Sequence, residues 1–541
     1  MKSLFVEAAL KDNLNIGWNG SSQFISTNDD VTTLFYKIVR GLSKETIEYY
    51  MEKIYKNGSR EDKINMFVLV FQTRATRSMG KGERKLFYEM MVILNKFYGD
   101  NISKLLHYIP EFGYYKDYIN ILSDDRFEKV IHDTCIDILC NDSKKDYHNL
   151  VINKHRSFTL VAKYLPREKG PYGNIAKKIA YKLFGHEHKQ SSLKKYRCMK
   201  SQLNKALETT EVKMCEKSFR HINFKKVPSA CLKRNRKAFL NEDLKIPITS
   251  SFEETGNRYP YDSDRVTSRK NLKGIENVNG SELYPYEIIK EFDENNLSET
   301  ELNVLQKQWE SIRGNLNLSK DSTALRVGKT IPVIDTSGSM TGIPMQVAIS
   351  LGILLSEVCD DEFKDFVISF SSEPEITNLK DISTVKEKYE KITKMKWGHN
   401  TNLYKVFQLI LKIAKQSNLN EKDIPDIMII SDMQFDYIHE KGTQWNTVYE
   451  KIVKLFNEYG IENHGTPWSV PRIAFWNVTA ATDGVPVTAE TPNTSLLSGF
   501  SPSLFKNVLS GQDMTPKEVL KRILYDTKFE NIRKCCSTFI K

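Results

Sequence analysis

The sequence contains no apolar run near the roughly 18 residues that a membrane-spanning helix needs. Glu7, Lys11 and Asp12 interrupt any apolar core close to the amino terminus, so we expect no secretory signal. The eight cysteines include no C-x-x-C pair, which makes a zinc site or a disulfide framework unexpected and predicts free thiols in a reducing compartment. We therefore expect an intracellular, cytoplasmic protein that does not contact a membrane.

Motifs for catalysis are also missing. The segments Gly80-Lys81-Gly82 and Gly328-Lys329-Thr330 both lack the G-x-x-x-x-G-K-[ST] spacing of a phosphate-binding loop, so we expect no nucleotide hydrolysis. No Ser/His/Asp or Cys/His nucleophilic set is apparent. The sequence therefore predicts a protein that is not an enzyme.

What the chain does have is enough apolar sequence for folded domains. It has 541 residues, of which 40% are hydrophobic, so two or three domains are expected. Apolar residues at helical spacing predict short helices over residues 1–240, and successive pairs of this size suggest a HEAT-like solenoid. Residues 241–280 are rich in Pro, Gly and polar residues and predict a loop or linker insert, followed by a connecting helix within 281–320.

The last region, residues 321–541, alternates β-type runs with helical patterns. Strands are predicted at 331–334, 366–370, 427–430, 472–476 and 485–488. Alternation at this spacing predicts a doubly wound, mostly parallel sheet with helices on both faces. The expected fold class is therefore α + α/β, with an amino-terminal helical region followed by an α/β domain.

The most informative segment is IPVIDTSGSM, residues 331–340. It ends a β-branched run in the pattern D-x-S-x-S, which places the Asp335 carboxylate and the hydroxyls of Ser337 and Ser339 at the carboxyl end of a buried strand. Open α/β sheets hold ligands at that end. Because hard oxygen ligands of this kind suit Mg²⁺ (or Mn²⁺), the segment predicts a metal site.

Two later segments extend this pattern. MKWGHNTN at 395–402 offers the hydroxyl of Thr401, and DIMIISD at 426–432 is an apolar strand that stops on Asp432. In this order the three segments resemble the metal-ion-dependent adhesion site of von Willebrand factor A domains, over residues 330–541. The resemblance implies the following metal-site residues: Ser337, Ser339, Thr401 and Asp432 around the ion, with Asp335 held through water. An ion with only two carboxylates keeps an open position for an acidic side chain or phosphate of a partner.

Positive charge is concentrated between residues 151 and 240. This segment has 23 Lys and Arg against 5 Asp and Glu, a net charge of +18, whereas the whole chain carries +11. The other residues therefore sum to −7, which predicts a polyanionic partner on one face. Aromatic residues interleave with the cations, as phosphate neutralisation and base stacking require; they are Tyr164, Tyr172, Tyr181, Phe184, Tyr196, Phe219 and Phe224. A solvated helical face with core aromatic residues is the alternative.

A second basic group lies at 74–84, RATRSMGKGER. Its cations and glycines suit a loop that holds phosphate, and a helix cap with salt bridges is the alternative. The residues predicted to bind RNA come from this loop and from two dense basic runs: Arg74, Arg77, Lys81, Arg84, Lys194, Lys195, Arg197, Lys233, Arg234, Arg236 and Lys237.

Several motifs together resemble one family of unknown function, known from plants, amoebae and large DNA viruses. They are RATRSMGKGERKLFY at 74–88, LVAKYLPREK at 160–169, VPSACLKRNRKAF at 227–239, LYPYEII at 283–289 and SDMQFD at 431–436. In that family a helical domain precedes a von Willebrand factor A-like domain. The layout is similar to the Ro/TROVE ribonucleoproteins, whose helical ring binds structured and misfolded RNA. The resemblance implies RNA binding by the basic helical region and, for a viral protein, a place in the infected cell or the virion.

Three functions remain open at this point. The first is an RNA-binding ribonucleoprotein component whose A-like domain binds an acidic protein partner through the metal. The second is a metal-dependent protein scaffold whose basic face meets an acidic protein without nucleic acid. The third, against the expectation that the protein is not an enzyme, is a metal-dependent hydrolase that uses the Asp335/Asp432 ion; it survives only if Asp432→Ala abolishes a measurable turnover.

Overall fold

The structure is a computed structural model that describes thirteen stretches of the chain. These are residues 13–76, 79–152, 157–242, 257–275, 278–280, 283–293, 297–317, 328–370, 373–395, 402–436, 447–482, 484–505 and 515–540. The described part is helical up to residue 317, apart from one hairpin, and contains a six-stranded sheet after residue 328. Thr401 and Arg77, which the sequence analysis proposed as site residues, lie outside these stretches.

The amino-terminal region begins with an antiparallel hairpin, β1 (Leu14–Ile16) and β2 (Ser22–Phe24). Within the described residues fifteen α-helices follow, besides three 3-10 helices at Gly99–Tyr108, Phe219–His221 and Phe224–Lys226. The α-helices are α1 Asp30–Lys37, α2 Lys44–Asn57, α3 Arg60–Arg74, α4 Arg84–Tyr98, α5 Ile109–Phe112, α6 Lys116–Ile121, α7 Lys129–Ile152, α8 Val161–Tyr164, α9 Gly173–Phe184, α10 Lys189–Ala206, α11 Thr210–Cys215, α12 Ser229–Leu240, α13 Ser263–Lys273, α14 Pro285–Asp293 and α15 Glu299–Asn317. Short polar side chains begin several of them; Ser59, for example, forms a capping box with Asp62 on α3. The HEAT-like order of these helices stays a prediction.

The carboxyl-terminal region contains β3 (Thr330–Asp335), α16 (Ile343–Val358), β4 (Phe366–Phe370), β5 (Ile376–Asn378), α17 (Val385–Thr393), α18 (Leu403–Gln416), β6 (Asp426–Ser431), α19 (Val448–His464), β7 (Ile473–Asn477), β8 (Thr494–Ser498), α20 (Pro516–Leu524) and α21 (Glu530–Ser537). The strand order is β5-β4-β3-β6-β7-β8, and every pair is parallel except the edge pair β4 and β5. The predicted α/β sheet is therefore present.

Helices cover both faces of this sheet. Alternate residues of each strand point to opposite faces. On one face, Ile334, Ile430 and Trp476 pack with α16 in the larger apolar core, which continues into the helical region. On the opposite face, Val333 and Ile429 pack with α18 and α19. Burial on both faces explains why these strands are nearly continuous apolar runs with polar residues only at their ends.

Three predictions of secondary structure from the sequence are wrong. Residues 241–280 are not a loop throughout, because α13 lies within them; the Asp262 carboxylate caps it by accepting from the backbone N–H groups of Asp264 and Arg265. The single helix expected within 281–320 is two helices, α14 and α15. The strand expected at 485–488 is replaced by β8, and Val485 instead forms an isolated bridge with Phe24 of the hairpin.

The chain's two regions are packed together rather than joined only by a linker. The side chain of Phe529, just before α21, stacks on Phe112 of the helical region with ring centroids 5.3 Å apart. The guanidinium of Arg60 donates to the backbone oxygens of Ser537 and Ile540. The last described residues therefore pack into the core of the helical region.

The described helices include none with the length and apolar character of a membrane span.

Candidate functional site

The end of β3 carries the first half of the candidate metal site. The Asp335 side chain is fully buried, and its Oδ1 accepts a hydrogen bond from the Ser337 backbone N–H at 2.9 Å. Its Oδ2 accepts from the Ser431 hydroxyl at 2.5 Å. The Ser337 and Ser339 hydroxyl oxygens are 3.0 Å apart, and Ser339 is exposed on the turn that follows the strand. The carboxylate is thus held in place by its neighbours; Ser337 is buried beside it, whereas Ser339 is exposed to solvent.

The end of β6 brings the second carboxylate. The Asp432 side chain is 3% exposed and accepts from the Gln434 backbone N–H at 3.1 Å. Met433 adopts a left-handed backbone conformation, with φ of +64°, which turns the chain sharply after the strand. Because β3 and β6 are parallel neighbours, both carboxylates lie at the same edge of the sheet.

Two residues that hold the carboxylates in place were not predicted from the sequence. Ser431 connects the strands, since its hydroxyl donates to Asp335 and accepts from the Met433 backbone N–H at 2.9 Å. Thr482, beyond β7, donates to the backbone oxygen of Asp432 at 2.8 Å. The position of Ser431 at the end of the DIMIIS strand was a usable signal. The role of Thr482 was not readable, because it depends on which loop lies beside Asp432.

Electrostatics at this edge favour a cation. Burial raises the pKa of Asp335, and the neighbouring Asp432 charge raises it further. Burial also raises the pKa of Asp432, although its hydrogen bond from Ser339 opposes that effect. Two ionised carboxylates in so dry a place repel each other, and a divalent cation bound between them would remove that repulsion.

The donor set fits Mg²⁺ or Mn²⁺. Two carboxylates and two hydroxyls are hard oxygen donors, and the set has fewer oxygens than the ion's coordination sphere, so water or a partner group would complete it. The structure describes no cluster of three or more His, Cys, Asp or Glu side chains suited to a metal, so the stretches it covers offer no competing site of that kind. Asn402, next to the predicted ligand Thr401, caps α18 by accepting from the Lys405 backbone N–H at 3.2 Å.

The basic loop at 74–84 has a different role from the one predicted. Arg74 is 2% exposed and forms an ion pair with the equally buried Asp117, with 2.9 Å between Nε and Oδ2. Lys81 is fully buried; its Nζ donates to the backbone oxygens of Phe35 and Ile38 at the end of α1 and to the Ser498 hydroxyl. Burial lowers the pKa of Lys81. These two cations serve as internal contacts, so their prediction as RNA contacts is wrong. Arg84 is exposed.

The two dense basic runs are only partly available to a ligand. Lys194, Lys195 and Arg197 on α10 are exposed, and Arg197 also pairs with Glu168. On α12, Arg234 and Lys237 are exposed, and Lys233 is half-buried beside Glu291. Arg236 is buried between Glu291 and Glu301, at 2.8 and 3.0 Å, so its prediction as an RNA contact is wrong.

The aromatic residues of the basic segment follow the alternative interpretation more closely. Tyr196, Phe219 and Phe224 are buried core side chains, and the Tyr196 hydroxyl donates to the backbone oxygen of Pro166 at 2.8 Å. Tyr172 is 36% exposed. Tyr164, Tyr181 and Phe184 are partly buried, so Tyr172 is the most accessible of the seven rings for stacking on a base.

Two known protein families match separate parts of the chain. Residues 329–535 match the family described as Domain of unknown function (DUF7788), and residues 119–319 match the Domain of unknown function (DUF2828). The uncharacterised protein L728 of Acanthamoeba polyphaga mimivirus is 26% identical over 539 residues, which cover 95% of this chain and 87% of L728. The resemblance to a family of unknown function with a viral relative is therefore supported.

One solved structure is similar over most of its length. The crystal structure of the Deinococcus radiodurans Ro (RSR) protein aligns with 92% of this chain and 99% of its own, with 12% identity and a TM-score of 0.34. A TM-score this low does not establish a common fold.

The buried ion pair gives a first prediction. The substitution Arg74→Ala leaves the Asp117 carboxylate buried without its cation, so the free energy of unfolding should fall by about 3–5 kcal/mol. Urea denaturation measures this, with the exposed Lys194→Ala as control, which should change stability by no more than about 0.5 kcal/mol. Equal stability of Arg74→Ala and the wild-type protein would contradict the placement of Arg74.

The carboxylate pair gives a second prediction. Burial and the Asp432 charge raise the pKa of Asp335 to about 7, so at pH 8 the group is mostly ionised. In chelator at this pH, Asp335→Asn should unfold at higher urea than the wild-type protein, because it removes one of two buried like charges. Added Mg²⁺ should stabilise the wild-type protein, by about 2.7 kcal/mol at 100 times the dissociation constant, and the variant much less. Asp360→Asn, at an exposed carboxylate, is the matched control. An unchanged response to Mg²⁺ in Asp335→Asn would exclude the site.

Proposed function

We propose that this chain is a non-enzymatic binding protein whose α/β part is a von Willebrand factor A-like domain that binds an acidic group of a protein partner through Mg²⁺ or Mn²⁺. The observation that carries the proposal is the meeting of Asp335, Ser337, Ser339 and Asp432 at the carboxyl ends of two neighbouring strands. The strand order, with an antiparallel strand at one edge, supports this class of domain.

The topology explains why the ligands gather there. The connection from β3 runs through α16 to β4 on one side, whereas β6 lies on the other side of β3 and is followed by α19 and β7. The chain therefore leaves the two central strands in opposite directions, and the loops separate to form a crevice at their carboxyl ends. Asp335 and Asp432 are at this crevice, with the hydroxyl of Ser339 exposed at its mouth.

Each residue has a distinct task in this arrangement. Ser337, Ser339 and Asp432 offer oxygens directly, Thr401 is the predicted further ligand, and Asp335 fixes the turn through the Ser337 N–H and acts through water. The bound dication would supply a positive centre with an open position for a partner carboxylate. The chain itself supplies only two carboxylates, one of them through water, so the ion would keep Lewis acidity toward a partner carboxylate at the open position.

Direct cation binding tests the proposal. Mn²⁺ titration followed by electron paramagnetic resonance should show one site per chain, from which Mg²⁺ displaces Mn²⁺. Ser339→Ala and Thr401→Ala should each weaken Mn²⁺ affinity by about tenfold. Thr341→Ala is the matched control, because its hydroxyl bonds the Gly338 backbone oxygen outside the donor set. Absence of a saturable site would refute the proposal, and a turnover abolished by Asp432→Ala would instead favour a metal-dependent hydrolase.

The second candidate function is RNA binding by the basic segment. Helices α9 and α10 pack against each other, and their outward sides carry exposed cations: Lys177, Lys178, Lys194, Lys195, Arg197 and Lys205. Tyr172, just before α9, adds a ring that is 36% exposed, and Arg234 and Lys237 are further exposed cations of the basic segment, on α12. A run of accessible Lys and Arg is what neutralisation of a phosphate backbone requires. An acidic protein is the alternative partner for the same surface.

A triple substitution tests this candidate. Replacing Lys194, Lys195 and Arg197 by Gln should weaken binding of a structured RNA by about tenfold or more. The slope of the logarithm of the binding constant against the logarithm of the salt concentration should become shallower by up to about three. The matched control removes three exposed lysines of the α/β part, Lys412, Lys415 and Lys422, and should bind almost as the wild-type protein does. Equal losses in both variants, or no preference for RNA over polyglutamate, would refute RNA binding and leave an acidic protein as partner.

A further inference from the structure

The amino-terminal hairpin lies on the loops of the candidate cation site, although about 400 residues separate them in sequence. The Asn19 side-chain amide donates to the backbone oxygen of Gln434 at 2.8 Å, and Gly20 forms a bridge with Asp436. Gln434 is also the residue whose N–H bonds the Asp432 carboxylate. The hairpin is therefore connected to the carboxylate by two consecutive hydrogen bonds.

A second set of contacts fixes the hairpin in this position. Phe24 and Val485 exchange two backbone hydrogen bonds, of 3.0 and 2.7 Å. The Gln23 side chain lies against Gly484, where a Cβ would come within 2.6 Å of Gln23 Cγ. Gly484 lies close to Thr482, which donates to the backbone oxygen of Asp432. The hairpin and the Asp432 loop thus form one packed unit.

The tip of the hairpin carries exposed apolar side chains next in sequence to the residues that contact the Asp432 loop. Residues 17–20 form a tight turn, closed by a hydrogen bond from the Gly20 N–H to the Gly17 oxygen at 2.9 Å, with Trp18 and Asn19 at its centre. The Trp18 side chain is 80% exposed and that of Ile16 is 55% exposed. An indole held on a rigid turn is a strong contact for a partner, because it offers a large ring at little cost in conformational entropy.

We propose that Trp18, supported by Ile16, is the second half of the partner-binding surface, and that the partner is a protein segment with an acidic side chain close to an apolar or aromatic one. This inference rests on the proposed function: the carboxylate would complete the cation's coordination while the neighbouring apolar side chain packs on Trp18. The continuity of the hairpin with the Asp432 loop and the charge of a bound dication argue for this occupant. A carboxylate alone would be a weak ligand, and the indole adds affinity and selects the neighbouring residue.

The test uses the full-length protein and an array of random heptapeptides with Asp fixed at the centre, probed in Mg²⁺ and in chelator. Wild-type protein should capture peptides in Mg²⁺ only, with apolar or aromatic residues enriched within three positions of the Asp. Trp18→Ala should lose about tenfold or more of the affinity for the selected peptides while binding Mn²⁺ normally. Tyr261→Ala, which removes a fully exposed ring of the helical region, is the control and should bind as the wild-type protein does.

The possible results separate this inference from the proposed function. Mg²⁺-dependent capture without apolar enrichment, or with unchanged affinity in Trp18→Ala, would overturn the role of Trp18 and leave the cation-dependent function standing. Normal Mn²⁺ binding without any Mg²⁺-dependent capture of peptide would overturn an acidic peptide as the partner. Absence of Mn²⁺ binding by the wild-type protein would refute the proposed function itself, and the inference with it.

Discussion

The parallel pairing of β3 with β6 at the centre of the sheet is the constraint on which the candidate site depends. Helices bury both faces of these strands, so their interiors must be apolar and polar side chains can gather only at the ends. The register places Ile334 beside Ile430, which brings Asp335 next to Ser431 and close to Asp432. The fold therefore forces two acidic groups together in a nearly dry place, where their like charges repel each other.

A second set of contacts attaches the helical region to the same sheet. Lys81 connects the end of α1 to Ser498 at the end of β8, and the neighbouring Glu83 forms an ion pair with Arg40, which also bonds the Tyr286 hydroxyl at 2.7 Å. The G-K-G-E segment is thus part of the framework between the two regions. This attachment explains how a hairpin near the start of the chain can lie on the loops of the α/β part.

The sequence predicted the centre of the sheet well and its edges poorly. β3 and β6 are strong apolar runs that end in Asp335 and Ser431-Asp432, so local pattern was enough to place them. β8, TSLLS, begins and ends with polar residues, and it is a strand because it pairs with β7. The helix α13 has buried Val266 and Leu272 among charged neighbours, too few apolar residues for a periodicity signal.

The internal role of several cations was also beyond local pattern. Arg74 finds its carboxylate 43 residues away, and Arg236 finds its two carboxylates 55 and 65 residues away. Charge density along the chain cannot distinguish such buried pairs from an exposed basic surface, because the partners come from distant elements. The candidate RNA-binding surface is therefore smaller than the composition indicated. Asp335, Ser337, Ser339 and Asp432 belong to local motifs at strand ends and do lie together, whereas their binding of a metal stays a prediction.

The most direct measurement for the central claim is anomalous diffraction at the manganese edge from crystals of the full-length protein grown with Mn²⁺. The account predicts one strong peak at the carboxyl end of β3 and β6, about 2.0–2.3 Å from the hydroxyl oxygens of Ser337 and Ser339 and close to Asp432, with Asp335 contacted through water. A well-ordered site without a peak, or a peak only elsewhere on the chain, would contradict the cation-dependent function.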